Sequence, residues 1–201
     1  MNEPTDLVLD GHGSLYIADQ SNNRIRKIDL ASGTITTVAG TGEAAYTGDG
    51  IPAREAGLSG PSGLAVGSDG ALYIADTFNG RIRKIDPGTG MISTVVGDGS
   101  EYRYQGVAND FSTSLSRPYG IAVDRNGHIL ITDSDSHLIR RWHRQKKIIT
   151  RVAGNGTAGY HGDGEVPIHS SLNYPFGVAV DGQGNIYIAD TFNHRIRMIA
   201  V

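Results

Sequence analysis

Cysteine is absent from all 201 residues, which removes disulfides, thiolate metal sites and cysteine nucleophiles together. Long apolar runs are missing too. None approaches the roughly 18 residues that a membrane-spanning helix needs. Met1-Asn2-Glu3-Pro4 lacks the charged-then-apolar opening of a signal peptide. No compartment is assigned, and a secreted or periplasmic parent protein is compatible with the sequence. Charge of one sign is scarce: 18 basic against 21 acidic residues leave a formal net of −3, against the basic excess of a general nucleic-acid binder. Gly-x-Ser-x-Gly, His-Glu-x-x-His and phosphate-loop motifs are absent. No closely spaced pair among the seven histidines has metal-ligand spacing. No metal or cofactor is therefore expected, and the residues favour binding over catalysis.

What is abundant is glycine, 28 of 201 residues, about twice average usage. Laid against itself, the chain shows why. Asp19, Asp76, Asp133 and Asp190 are 57 residues apart, as are Pro4, Pro61, Pro118 and Pro175, and Gly13, Gly70, Gly127 and Gly184. In the second copy, apolar runs at 63–66, 72–75, 81–85 and 91–96 are each bounded by Gly, Pro, Asn or Asp, the pattern of short antiparallel strands. No window carries a 3.6-residue apolar stripe. Four strands per repeat is the makeup of a β-propeller blade. The fold class is thus all-β, one propeller region over 1–201 with blades at about 4–60, 61–117, 118–174 and 175–201. About 20 polar, Gly-rich residues separate each outer strand from the next inner one, and a short helical turn is expected near Ile51–Ala56.

Pro-x-Gly-x-Ala-Val, Gly-x-x-Tyr-Ile-Ala-Asp and Asn-x-Arg-Ile-Arg resemble the NHL repeat over essentially the whole chain. The triplet that names that family is matched by Asn193-His194-Arg195 and Ser136-His137-Leu138. The long Gly-Asp-Gly connections are similar to those of bacterial members. The resemblance implies the propeller fold and says little about function.

The fourth copy ends after its third strand, so an outer strand is lacking and a sheet edge is expected. A piece of a longer ring, a ring completed by a second copy, and a closed four-bladed monomer all remain open. Size-exclusion with light scattering separates them, a 21.4 kDa monomer counting against assembly.

The Asp series could form a carboxylate ring, but turn capping is the plainer role. The arginines of the third strands could line an anion-binding rim or pair with those Asp residues between blades. The stretch Arg140–Lys147, with Trp142, could bind RNA, although a solvated hairpin turn is favoured and nucleic acid is not expected as a partner. His161, His169 and Asp163 would be the metal ligands of a lyase or hydrolase fragment. The Gly-Asp-Gly turns carry too few carboxylates for Ca²⁺. The loop face holds the preferred binding residues: Phe78 and Phe192 from the Thr-Phe-Asn turns, Tyr119 and Phe176 from Pro-x-Gly, and Asp49, Tyr160, His161 and Asp163 from the connections. Tyr46, Tyr102 and Tyr104 share those connections. Aromatics at an otherwise repeated site suit recognition. The expectation is a non-catalytic scaffold for a protein, peptide or glycan, with a homo-oligomer as a further partner.

Overall fold

A computed structural model describes residues 1–100, 108–109 and 113–200. Tyr102, Tyr104 and the 105–107 segment lie outside the described residues. Four antiparallel sheets follow one another along the chain. The first takes β1 (Pro4–Leu9), β2 (Ser14–Asp19), β3 (Arg24–Asp29) and β4 (Ile35–Ala39) in sequence order. The second places β5 (Ile51–Pro52) outside β9 (Met91–Val96), β8 (Arg81–Ile85), β7 (Leu72–Asp76) and β6 (Pro61–Val66). The third repeats this with β10 (Ala108–Asn109), β14 (Ile148–Ala153), β13 (Leu138–His143), β12 (Ile129–Asp133) and β11 (Pro118–Val123). The fourth holds β15 (Pro175–Val180), β16 (Ile186–Asp190) and β17 (Arg195–Ile199).

Each sheet is a propeller blade, a meander whose turns sit where Gly and Asp fall. The connection carries more structure than its polar composition suggests. Ile51–Pro52 adds a fifth, two-residue strand to the outer edge of the second blade, and a 3-10 turn follows at Ala53–Glu55. Proline is tolerated there because an outermost strand needs no further donor on its open side.

The chain forms two compact units, residues 1–95 and 96–201. In the first, β6 lies along β1: Thr5 Oγ1 donates to the Ser62 carbonyl at 2.9 Å, and the Leu64 N–H to Asp6 at 2.7 Å. Ala18, Ile25 and Ala39 of the first blade pack on Leu64, Leu72, Ile74 and Ile92 of the second, with Ala53, Ala56 and Leu58 of the connection. In the second unit, Leu130, Ile139 and Ala153 meet Leu172, Ile186 and Ile188. The repeat makes one contrast informative. Ile25 and Ile139, each covered by the following blade, are fully buried; their fourth-blade counterpart Ile196 is 70% exposed and Met198 is 57% exposed. Among the described residues β17 is a bare sheet edge, as expected.

Candidate functional site

The Asp series is buried in all four blades, and its role departs from turn capping. Each Asp precedes a three-residue 3-10 turn, yet none of the four caps that turn with its side chain. The carboxylate instead accepts the N–H of the residue 17 earlier, on the incoming chain: Asn2, Ser59, Ser116 and Asn173, at 2.7–2.8 Å. In three blades it also accepts the side-chain amide of Asn22, Asn79 or Asn193. Three arginines of the third strands pair with the Asp of their own blade. Arg83 reaches Asp76 at 3.2 Å, while Arg140 reaches Asp133 and Arg197 reaches Asp190, both at 3.3 Å. Strand register explains this: Asp76 faces Arg81 across the ladder, so Arg83 is its diagonal neighbour on the same face. Burial pushes the Asp133 carboxyl up to about 6 even with the Arg140 guanidinium beside it.

Asp49 and Asp163 join these pairs. Asp49 accepts from Arg83 at 3.0 Å and from the Thr94 N–H and hydroxyl at 2.9 and 3.0 Å. Asp163 is held by Arg197 and by the Tyr160 hydroxyl, and that hydroxyl's hydrogen bond keeps its carboxyl below the usual range. The Arg81 and Arg195 guanidinium groups stand over the Tyr46 and Tyr160 rings, each 3.9 Å from the centroid. These four residues therefore fasten the connection onto its blade. His161 is exposed, its imidazole 3.9 Å from Glu165. Among the described residues no group of three His, Asp or Glu side chains is placed to hold a metal.

The aromatic residues divide between the units. Phe78 covers Gly60, whose missing side chain leaves it room. In residues 96–201 the rings converge. Tyr119 stacks on Phe176 with centroids 4.7 Å apart and planes at 27°. Phe176 meets Phe192 edge-on at 6.0 Å, and Tyr174 sits 4.9 Å from Phe192. His137 stands edge-on to Tyr174 at 4.7 Å. Phe192 remains 54% exposed. The first unit has Thr5, Ser62 and Gly60 where this cluster has Tyr119, Phe176 and Tyr174. Tyr174 and His137 were not singled out from the sequence. The 57-residue register could have found Tyr174, the one aromatic in a series otherwise Glu3, Gly60 and Arg117, all four in the left-handed region at φ 48–55°.

His137 also ties the two blades together. Its Nδ1 accepts the Tyr174 N–H at 3.2 Å, as the Asn23 amide oxygen accepts the Gly60 N–H at 2.9 Å in the first unit. Burial holds its pKa below the ordinary 6.5. The neutral ring is thus the favoured folded form, and its contribution to stability is complete above pH 6.5 and lost as pH falls below 6.5 through the lower folded-state pKa. His137→Asn should keep the bond and remove the titration. Between pH 7.5 and 5 the wild type should lose stability relative to this variant, by a modest amount because the ring is partly exposed and solvent screens it. Asp133, raised, titrates in the opposite sense in both proteins and cancels in the difference. Parallel pH profiles in urea melts would overturn the assignment.

The basic stretch is mostly committed to the fold. Trp142 is 5% exposed between Ile129 and Ile149 on the neighbouring strands, and so is closed to base stacking. Arg140 belongs to Asp133 and Arg141 to Asp124 at 3.5 Å. Gln145, Lys146 and Lys147 are left at the exposed turn.

The comparisons agree with this architecture. A family model for the teneurin NHL domain matches residues 29–110, and the NHL repeat model matches 115–142 and 172–197. The protein SUPPRESSOR OF QUENCHING 1, chloroplastic, of Arabidopsis thaliana is 30% identical over 99% of this chain, which spans 19% of it. NHL repeat-containing protein 2 of Bos taurus is 28% identical over 92% of this chain, which spans 29% of it. A crystal structure of a protein of unknown function from Bacteroides thetaiotaomicron superposes with a TM-score of 0.78 at 22% identity, over 98% of this chain and 47% of that one. With a 57-residue blade, the Asp–Arg pair in each copy and both repeat models matching, the chain belongs to the NHL-repeat family of β-propellers.

Proposed function

We propose that the protein is a non-catalytic binding module and that residues 96–201 hold its ligand, a protein, peptide or glycan, against the rings of Tyr119, Tyr174, Phe176 and Phe192. The observation that carries this is the convergence of four rings from two blades, three of them at positions where the first unit has Thr5, Ser62 and Gly60 and the fourth, Phe192, matching Phe78. Rings already packed on one another lose little freedom on binding, and such clusters supply hot spots of about 2 kcal/mol or more. In the same unit Tyr160, His161 and Asp163 belong to the connection that leads into the fourth blade. The fold itself hosts unrelated activities, so the reading rests on the site.

The test is a glycan and peptide array followed by titration of the best binder. Phe192→Ala should weaken it by about tenfold or more, on the hot-spot scale, while Phe78→Ala, on the aromatic-poor unit, should leave it within twofold. Equal effects of the two variants, or none, would sink the proposal. A second reading, association between copies, is supported by the exposure of Ile196 and Met198 on β17.

A further inference from the structure

The first unit contains a cleft of about 420 Å³ between its two blades. Its floor is apolar, with Val38 of β4 and Leu72 and Ile85 of the second blade. Lys27 of β3, its Nζ over the Tyr16 ring at 5.7 Å from the centroid, and Arg54 of the connection also line the cleft. Among the described residues, neither cation has a carboxylate within ion-pair distance.

The repeat shows that this is particular to the cleft. Lys84, the next counterpart of Lys27, is paired with Asp69 at 3.7 Å, and Arg141, the one after, with Asp124. Lys27 influences Asp10 and Asp29 only through space. In the second unit the places of Tyr16 and Arg54 are taken by Leu130 and Ile168. Packing the blades therefore requires neither the ring nor the guanidinium. The rim also carries Asp86, whose Oδ1 accepts the Gly88 and Thr89 N–H groups and is thereby held ionised. A fixed negative charge there disfavours a second anionic group on the ligand.

We propose that this cleft binds a small organic monoanion: an acidic head between Lys27 and Arg54, and a flat or aliphatic body on Val38, Leu72 and Ile85 beside Tyr16. Two lining cations without a carboxylate partner are wasted on a neutral ligand, and the apolar lining is wasted on a bare ion. The volume lies in the small-molecule range and is too confined for a folded partner.

Phenylacetate is the probe, titrated into the ¹⁵N-labelled full chain. Saturable shifts should concentrate at the amides of Lys27, Val38, Arg54, Ile85 and Thr89. Lys27→Met and Arg54→Met should each weaken binding by about tenfold, the scale of one lost charge-assisted hydrogen bond. Tyr16→Leu, which installs the residue the third blade already uses, should weaken it less. All three variants should melt near the wild type, which separates loss of the site from loss of the fold. The proposal is overturned by absent or scattered shifts, or by binding indifferent to both cation variants. It is also overturned if 2-phenylethanol binds as tightly, since the charge would then be idle, or if inorganic phosphate does, since the floor would be.

Discussion

Replacing Arg83 by Met should destabilise the first unit by about 3–5 kcal/mol, the usual cost of stranding a buried charge. Arg83 is among the largest fully buried side chains, and its guanidinium serves three acceptors: Asp76, Asp49 and the Gly48 carbonyl at 2.7 Å. Asp76 is itself buried, with its pKa pushed up by desolvation. Without Arg83 it must take a proton or remain ionised among apolar neighbours. The counterpart in the first blade gives the control. Arg26 stands 4.0 Å from Asp19 and keeps a quarter of its side chain in solvent, so Arg26→Met should cost about 1 kcal/mol or less. Amide hydrogen exchange along β7 and β8 reads the difference, and adding Asp76→Asn to Arg83→Met should restore part of the loss. Equal protection in the two single arginine variants would show that the fully buried pair contributes no more than the longer, partly exposed Arg26–Asp19 pair.

Gly154→Ala should be of similar size, roughly 3–5 kcal/mol, because two penalties of about 1–3 kcal/mol coincide. The residue has φ +87°, and an added Cβ would stand 2.2 Å from the His137 carbonyl oxygen. That oxygen is backbone in a turn fixed by its own hydrogen bond and cannot step aside. Gly127 shares the left-handed conformation at φ +75° but has nothing within 4 Å of the added methyl, so Gly127→Ala should cost only about 1 kcal/mol. Both can be followed by the fluorescence of Trp142, buried in the same unit. Similar midpoints for the two variants would mean that conformation, not the close approach, makes Gly154 necessary.

The repeat length, the strand order and the bare edge at β17 were legible because each depends on neighbours in sequence: turn residues, alternation and a constant register. The two-residue strand at Ile51–Pro52 was not, since two residues show no alternation and proline argues against a strand. Trp142 was misleading for a related reason. Its basic neighbours suggested an exposed turn, whereas β13 continues to His143 and brings the ring between Ile129 and Ile149. The Asp–Arg pairs were visible as residue types but not as partners, because separations of 7, 17 and 35 residues acquire meaning only once strands and connection are packed. The aromatic residues were visible singly. Tyr174 and His137 joined them only through the left-handed backbone that aims both at one place.

Among the described residues the polar contacts that fasten a connection onto its blade reach back along the chain by less than one repeat, whereas those that join β1 to β6 span 57 and 58 residues. The Asp carboxylate looks back 17 residues, Asn79 and Asn193 look back 34, Arg83 looks back 35, and Thr94 looks back 45 to Asp49. A stretch of 57 residues therefore travels with nearly all of its own fastenings. Such a segment can be duplicated or deleted whole without orphaning a buried charge, and it can close as it leaves the ribosome without waiting for residues not yet made. Heredity and synthesis then share one unit of length, which gives a physical reason for a spacing that never slips by a single residue.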